Sequence, residues 1–330
     1  MTTRKDTVVR AITFTGPERI PVLYWNRDQQ EGDIRVYSLS LSRETGAAGA
    51  AGNSGSAVNE WGYRLESLDD GTMGYPVRPV YERLPGPGEI AMPALREEER
   101  TARLSGFLED CGDRYRLATL DLSGFTLYTL LRGFENSMED LVSSPDEFAR
   151  LFDLIVDFEC ELIRMAGRRG FDGVHFADDW GTQSGLMISP AMWRRLFQPR
   201  YRRQFTLAHQ LGLHVWFHSC GNITQICPGL HEAGVDVLNV SQPNVVDIGA
   251  VGRLRGRQCF MVPISYQTVS IQGTPAEIFA EAARLYDRLG TAQGGLVGYV
   301  EEYACMGMTE ANYRACGEAF RRLRPSCAVP

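Results

Sequence analysis

Short apolar runs alternate with longer amphipathic segments throughout the second half of the chain. Apolar runs rich in β-branched and aromatic residues predict strands at 115–120, 170–177, 213–217, 235–240, 258–262 and 295–299. Apolar residues at helical spacing predict helices at about 125–143, 144–168, 189–210, 222–233, 246–253, 273–289 and 309–323. Repeated alternation of strand and helix is typical of a parallel α/β architecture.

Two sequence signals mark helix starts within this region. Ser144-Pro-Asp-Glu147 has a serine at the N-cap, a proline at the first helical position and a glutamate at the third. Gly273-Thr-Pro-Ala-Glu277 has the same arrangement around a threonine. Both predict that a helix begins immediately after the cap, which fixes the ends of the preceding loops.

The N-terminal third is less regular. Residues 4–14 predict an amphipathic helix, and residues 18–25 predict a first strand. The small residues of 43–58 predict a mobile loop, and 59–112 predict hairpins plus a solvated helix around the charged run 96–100. We therefore expect one domain, 1–330, with an N-terminal elaboration over 1–112 and regular βα units over 113–330.

About eight strands in a chain of 330 residues indicate a (β/α)8 TIM-type barrel, class α/β, with an elaborated N-terminal region. A doubly wound open sheet is the alternative. No Gly-x-Gly-x-x-Gly follows the first predicted strand, which disfavours a dinucleotide-binding fold.

Composition narrows the partners and the compartment. The net charge of −7 and a pI near 5.4 disfavour binding to nucleic acid or to an anionic membrane. The N-terminus lacks the apolar core of a signal peptide, so we expect a soluble, cytoplasmic protein. Its eight scattered cysteines then indicate burial or metal binding rather than a disulfide framework. The sequence does not indicate the oligomeric state.

Polar residues collect where the predicted strands end. In a barrel of this kind the carboxyl ends of the strands form the mouth, where chemistry takes place. The candidates for this mouth are Asn26, Arg27, Asp121, Asp178, Asp179, His218, Cys220, Gln242 and residues 299 to 305.

His218 and Cys220 directly follow the predicted strand 213–217. In an extended chain residues i and i+2 point the same way, so an imidazole and a thiol would converge there. A core histidine and a buried thiol are the alternative. Cys305, after the last predicted strand, would complete a three-ligand zinc site with an open position, the form of a catalytic zinc.

Other residues compete for, or add to, this metal site. Asp179, Glu301 or Glu302 would supply a displaceable fourth oxygen ligand. Cys227 is the main rival thiol. We expect Cys227 to be packed in its helix, and three further cysteines to be buried: Cys160, Cys259 and Cys316.

Asp178 and Asp179 form an adjacent carboxylate pair with three possible roles: metal binding, acid and base catalysis, or capping of the loop. We expect a catalytic role for the pair, with at least one carboxylate facing the substrate. The remaining polar residues are candidates for substrate binding: Asn26, Arg27, Asp121, Gln183, Gln242 and Tyr299.

Several motifs together resemble the uroporphyrinogen decarboxylase superfamily. They are His-Ser-Cys-Gly-Asn (218–222), Asp-Asp-Trp-Gly-Thr-Gln (178–183), Ile-Ser-Pro-Ala-Met-Trp (188–193), Gly-Val-Asp-Val-Leu-Asn (234–239), Gln-Gly-Thr-Pro-Ala-Glu (272–277) and Met-Thr-Glu-Ala-Asn (308–312). The resemblance runs from about residue 130 to the end and implies a barrel with a cleft at the carboxyl ends of its strands.

The two branches of that superfamily imply different chemistry. True decarboxylases hold a porphyrinogen with an arginine-rich N-terminal segment and a C-terminal-region histidine. Here 22–28 contains one arginine, and Tyr303-Ala-Cys305 stands at the histidine position. The methylcobamide:coenzyme M methyltransferase branch binds zinc through His-x-Cys and a distant cysteine, which His218, Cys220 and Cys305 match. The Glu301-Glu-Tyr-Ala segment before Cys305 departs from that branch's Pro/Gly-rich turn.

The resemblance thus implies a zinc-dependent methyl or alkyl transferase that activates a thiol, with a corrinoid protein or a small methylated molecule as donor. The alternative is a metal-free decarboxylase of a small acidic or porphyrinogen-like substrate, in which Asp178 or Asp179 stabilises a protonated intermediate and Arg27 holds a carboxylate. A non-enzymatic binding barrel is the third possibility.

Overall fold

Eight parallel strands form a nearly closed barrel in the structure, a computed structural model that describes residues 2–44, 57–66 and 74–325. In chain order the strands are β1 (Val22–Tyr24), β2 (Ile34–Ser38), β3 (Tyr115–Leu122), β4 (Gly173–Ala177), β5 (His214–Ser219), β6 (Val237–Val240), β7 (Cys259–Pro263) and β8 (Leu296–Val300). Their order around the sheet is β1-β8-β7-β6-β5-β4-β3-β2. The predicted (β/α)8 barrel is confirmed.

Helices follow most strands and form the outer layer. They are α1 (Arg4–Thr13), α2 (Glu97–Arg100), α3 (Leu104–Cys111), α4 (Gly124–Arg132), α5 (Phe134–Ser143), α6 (Pro145–Arg168), α7 (Pro190–Leu196), α8 (Gln198–Gln210), α9 (Cys227–Ala233), α10 (Ile248–Val251), α11 (Val269–Gln272), α12 (Pro275–Leu289) and α13 (Glu310–Arg322). Among the described residues, no helix is long and apolar enough to cross a bilayer.

Helix starts agree in part with the sequence signals. Thr274 makes the predicted capping box with Glu277, whereas the Ser144 side chain makes no capping hydrogen bond. The segment predicted as one helix over 189–210 is two helices, α7 and α8, which meet at Phe197. Pro199 in the first turn of α8 explains the break, since proline is tolerated there and not in a helix interior.

A buried carboxylate completes the ring between β1 and β2. The Asp33 backbone nitrogen donates to the Val22 carbonyl at 2.9 Å, and the Asp33 side chain accepts from the Val22 nitrogen at 2.8 Å. Arg19 donates to the same carboxylate at 2.7 Å. Strand β2 was not predicted, because Arg35 and partly exposed neighbours interrupt its apolar pattern.

The amino-terminal helix closes the barrel at the end opposite the mouth. Val8 and Ile12 of α1 are buried in the same apolar cluster as Leu117, Trp216 and other interior side chains of the strands. The confirmed helix α1 begins with a capping box between Thr3 and Asp6. The end of the barrel that α1 covers is therefore a packed apolar core, and the polar side chains of the interior lie toward the mouth.

The insertion between β2 and β3 contains two small hairpins and the helices α2 and α3. The hairpin strands are Ser42–Glu44 with Ala57–Asn59, and Leu65–Glu66 with Tyr75–Pro76. Most of the predicted mobile loop, residues 45–56, lies outside the described residues. The charged run at 96–100 is not wholly solvated as predicted, because the Arg100 side chain is 0% exposed and paired with Glu60.

Candidate functional site

Three potential metal ligands come together at the mouth of the barrel. His218 lies near the end of β5, Cys220 follows that strand, and Asp179 follows β4. The His218 Nε2 atom is 3.5 Å from Cys220 Sγ and 3.6 Å from Asp179 Oδ1. The three ligand atoms all lie within 4.8 Å of one another. We call these residues the His-Cys-Asp trio.

Backbone pairing between two neighbouring loops sets this geometry. Strands β4 and β5 are paired up to Ala177 and His218, and the loops continue side by side beyond that point. The Gly181 nitrogen donates to the Cys220 carbonyl at 3.1 Å. The Asp179 carboxylate accepts from the Cys220 nitrogen at 2.7 Å, so the side chain is aimed across the gap.

Two glycines allow the loops to come this close. A Cβ atom at Gly181 would lie 2.4 Å from the Asn222 nitrogen, and one at Gly221 would lie 2.1 Å from the Gly181 carbonyl oxygen. Gly221 also has φ +74°, which favours glycine. The trio therefore depends on two positions at which a larger side chain would push the loops apart.

Asn239 fixes the orientation and the tautomer of His218. The Asn239 side-chain nitrogen donates to the Met261 carbonyl at 2.9 Å, which turns its oxygen toward His218 Nδ1, 2.5 Å away. Because that oxygen only accepts, Nδ1 carries a proton. Nε2 is the nitrogen that faces Cys220 and Asp179. Sequence reasoning missed Asn239, which follows His218 by one strand and points inward from β6.

The electrostatics of the trio favour a positive charge between its atoms. Burial opposes the protonated form of His218, but the charges of Cys220 and Asp179, with hydrogen bonds to Cys220 and Asn239, raise its pKa to about 10. Tetrahedral zinc with a nitrogen and a sulfur ligand requires a separation of about 3.5 Å between them, which is the distance observed. A thiolate and a carboxylate would balance the two charges of the ion. The trio thus fits zinc.

Cys305 does not belong to the trio. It is exposed on a short 3₁₀ turn, Ala304–Met306, in the loop after β8. Its predicted role as a zinc ligand stays a prediction. The structure brings Asp179 to the other two ligands, whereas Glu301 accepts hydrogen bonds from two tyrosines and Glu302 pairs with Arg27.

The other candidate thiols are buried, as predicted. Cys227 lies at the start of α9 and its Sγ donates to the Ile223 carbonyl at 3.3 Å, while burial raises its pKa to about 12. Cys160, Cys259 and Cys316 are also buried, and the seven described cysteines are free. Cys327 lies outside the described residues.

Asp178 is buried where the loop after β4 meets α4. Its side chain is 0% exposed and accepts hydrogen bonds from the Phe125 and Thr126 nitrogens at 2.9 and 2.8 Å, from the Thr126 hydroxyl and from Tyr201. It therefore anchors the start of α4, and the catalytic role predicted for Asp178 and Asp179 stays a prediction. Thr126 links the two residues, since its hydroxyl accepts from the Asp179 nitrogen at 2.8 Å.

Asn26 and Arg27, predicted to bind substrate, connect two loops. Asn26 exchanges two hydrogen bonds with the Glu302 backbone, at 3.2 and 3.0 Å. Arg27 donates to Glu302 at 2.9 Å and to Glu310 at 2.8 Å, and it lies over the Tyr313 ring. These contacts join the loop after β1 to the loop after β8, so the Arg27 charge is already paired.

The remaining predicted substrate-binding residues lie around the rim. Gln242 is buried, and its oxygen accepts from the Gly221 nitrogen at 2.6 Å, which supports the loop that carries Cys220. Gln183 is exposed and donates toward Gln242 at 3.5 Å. Asp121 has φ +56° and accepts from Ser38 at 2.6 Å, and burial raises its pKa. Substrate binding by these residues stays a prediction.

Aromatic rings line the barrel interior beside the trio. Ring centroids are separated by 6.2 Å between Tyr299 and Trp25, 5.2 Å between Trp25 and His175, and 6.3 Å between His175 and His218. We call these four residues the aromatic arc. Burial lowers the pKa of His175 to about 3, so its ring is neutral at physiological pH. The sequence analysis placed His175 and Trp25 in strands and gave them no role at the site. Alternate residues of a strand point to the same side, and this spacing could have identified both side chains as facing the barrel interior.

Comparison with known proteins gives a family and a fold. A family model described as uroporphyrinogen decarboxylase (URO-D) matches residues 106–309. A solved structure of a methyltransferase from Methanosarcina mazei is similar over 97% of this chain and 98% of its own, with 14% identity and a TM-score of 0.70. A B12-independent methionine synthase from Shewanella sp. W3-18-1 covers 67% of this chain and 64% of its own, with 13% identity and a TM-score of 0.45. No curated protein sequence matches.

Proposed function

The chain belongs to the uroporphyrinogen decarboxylase family, and within it we propose a zinc-dependent methyl or alkyl transferase that activates a thiol-type nucleophile. The observation that carries this proposal is the His-Cys-Asp trio, whose three ligand atoms lie within 4.8 Å. The likeness to the Methanosarcina mazei methyltransferase establishes the fold. The activity in that protein's name is the one we propose for this chain.

Each residue of the site has a distinct task in this proposal. His218 presents Nε2 because Asn239 holds the proton on Nδ1. Cys220 would supply a thiolate ligand, and Asp179 an oxygen ligand that could give way to a substrate. Cys305 would be a further ligand if the loop after β8 moved inward. Zinc bound there would acidify a thiol substrate and hold it as the nucleophilic thiolate.

The methyl donor is a corrinoid protein or a small methylated molecule that reaches the same mouth. Attack on a methyl carbon needs a nucleophile shielded from water, since a solvated thiolate is stabilised and less reactive. The aromatic arc, in which His175 and Tyr299 are buried, supplies a wall of rings for that purpose.

Metal analysis of the purified full chain tests the proposal. We expect about one zinc per chain, lost in His218→Ala and Cys220→Ala, and weakened in Asp179→Asn. Cys227→Ala is the matched control, because that thiol is buried and bonded to the Ile223 carbonyl, away from the trio. Zinc that is absent from the parent protein, or unchanged in Cys220→Ala, contradicts the proposal. Cys305→Ala separately decides whether that thiol is a ligand.

A further inference from the structure

Five successive loops at the mouth contain no lysine, arginine or histidine. They follow strands β4 to β8 and comprise residues 178–189, 220–226, 241–247, 264–274 and 301–309. The same loops contain five carboxylates: Asp178, Asp179, Asp247, Glu301 and Glu302. A binding site built from them offers no cationic side chain to an anionic group.

Several basic residues of the other loops are paired or lie away from the five loops. Arg27 is held by Glu302 and Glu310, and Arg132 forms a buried pair with Asp140 at 2.8 Å. Among the exposed arginines of the β2–β3 insertion, Arg64 and Arg78 line a groove within the insertion itself. The five loops therefore carry a net negative charge, and they would keep it if a zinc ion neutralised Asp179 and Cys220.

Among the carboxylates of these five loops, Glu301 lies against two tyrosine side chains. Its Oε2 atom accepts from the Tyr299 and Tyr303 hydroxyls, both at 2.7 Å, so neither tyrosine uses Oε1. Burial and the charge of Glu301 raise the pKa of both tyrosines, which therefore stay neutral donors. Tyr303 also stacks on Tyr266, with 4.7 Å between ring centroids.

The tyrosines connect Glu301 to the trio. Tyr266 stacks on Tyr303, and burial together with the nearby charges of Cys220, Glu301 and Asp179 raises its pKa. On the other side, Tyr299 begins the aromatic arc that ends at His218. Neutral aromatic faces together with one carboxylate are the chemistry that recognises an organic cation.

We propose that the mouth binds a small methylated onium ion, a quaternary ammonium or sulfonium compound, against Glu301 and the neutral rings of Tyr266, Tyr303, Tyr299 and Trp25. This inference rests on the proposed function and names its methyl donor. Five loops without a basic residue disfavour a substrate held through a carboxylate, sulfonate or phosphate. A neutral methyl ether would stack on the same rings but would gain nothing from the charge of Glu301.

The transfer balances without a further reactant. The thiolate sulfur of a small thiol attacks a methyl carbon, a carbon–sulfur bond forms, and the carbon–nitrogen or carbon–sulfur bond of the onium ion breaks. Its electron pair stays on the leaving nitrogen or sulfur. The products are a methyl thioether and a neutral amine or sulfide, so one positive and one negative charge disappear, a change that a poorly hydrated site favours.

Calorimetric titration of the full-length, zinc-loaded protein tests the cation site. The probes are choline and its neutral isostere, in which a tert-butyl group replaces the trimethylammonium group. We expect choline to bind about tenfold more tightly, as cation–π contact and one carboxylate allow. Glu301→Gln should remove most of that preference, and Tyr303→Leu should weaken choline binding. Glu318→Gln, an exposed pair of Arg322 on α13, should leave it unchanged.

Each result of the titration either supports or contradicts the proposed cation site. Equal affinity for choline and its isostere in the parent protein overturns the cation site and indicates a neutral ligand. A preference that survives Glu301→Gln also overturns it. Zinc content measured on the same samples separates the two proposals, because a zinc-free protein that still prefers choline contradicts the transferase and not the cation site.

Discussion

Asn239 Oδ1 accepts a hydrogen bond from His218 Nδ1 at 2.5 Å while the Asn239 amide donates to the Met261 carbonyl at 2.9 Å. The three residues lie on adjacent strands, β5, β6 and β7. Formation of the sheet therefore keeps a proton on Nδ1 and leaves Nε2 as the nitrogen that can bind a metal. Partners of this kind tune a metal site through the ligand that they orient.

Replacement of Asn239 by leucine should weaken zinc binding without removing a ligand. The imidazole would lose its acceptor and rotate or change tautomer, so we expect a loss of about ten- to a hundredfold in zinc affinity. Competition with a chromophoric chelator measures it. Asn244→Leu, at an exposed asparagine that bonds Gln267, is the control. Equal affinity of Asn239→Leu and the parent protein would show that Asn239 does not orient the ligand.

Glu159 should make the stability of the protein depend on pH. Burial raises its pKa from 4.5 to about 7, although the Gly124 nitrogen and Gln204 donate to it. The folded state then keeps a proton that the unfolded chain releases, so the free energy of unfolding falls as pH rises from about 4.5 to 7. Urea unfolding across this range should show a smaller fall for Glu159→Gln. Glu161→Gln, exposed on the same helix, should follow the parent protein.

Arg27 separates the transferase from the decarboxylase alternative. Because Glu302 and Glu310 already hold its guanidinium, we expect Arg27→Gln to lower the melting temperature slightly and to leave zinc content unchanged. We also expect succinate, a small dicarboxylate, to bind neither protein measurably in calorimetry. Succinate binding that disappears in Arg27→Gln would instead support a metal-free decarboxylase with Arg27 as its anchor.

The buried pair of Arg100 and Glu60 should stabilise the insertion. The arginine also donates to the Leu39 carbonyl at 2.6 Å, so it joins α2 to the end of β2. Arg100→Met leaves a buried carboxylate unpaired, and we expect a loss of about 3–5 kcal/mol in urea unfolding. The second substitution Glu60→Leu, made in the Arg100→Met protein, should restore part of the lost stability. Arg96→Met, which breaks the exposed pair with Glu99, should change stability by less than about 1 kcal/mol.

The sequence was sufficient to predict the barrel and part of the His-Cys-Asp trio. Alternating strand and helix patterns located seven of the eight strands, and the i, i+2 spacing placed His218 and Cys220 together. It could not choose between Asp178 and Asp179, since adjacent carboxylates on a turning chain face opposite ways. That choice depends on the approach of α4, whose first backbone nitrogens capture Asp178.

Other parts of the site depend on contacts between distant segments. Asn239 and His175 read as strand residues because their roles come from the neighbouring strand, which a local pattern does not contain. The pairing of Arg27 could not be predicted because its partners, Glu302 and Glu310, lie almost the whole chain away. The position of Cys305 follows from the conformation of its own loop, which spacing along the chain does not specify.

The contact between Gly181 and Gly221 has a thermodynamic consequence for ligand capture. Because the two backbones touch and are joined by hydrogen bonds, we expect the segments that carry Asp179, His218 and Cys220 to move together. The conformational entropy of ordering these three ligands is lost when the chain folds, not when an ion binds. Ion binding should then be fast and show a small entropic penalty, while any slow phase would report the separate loop that bears Cys305.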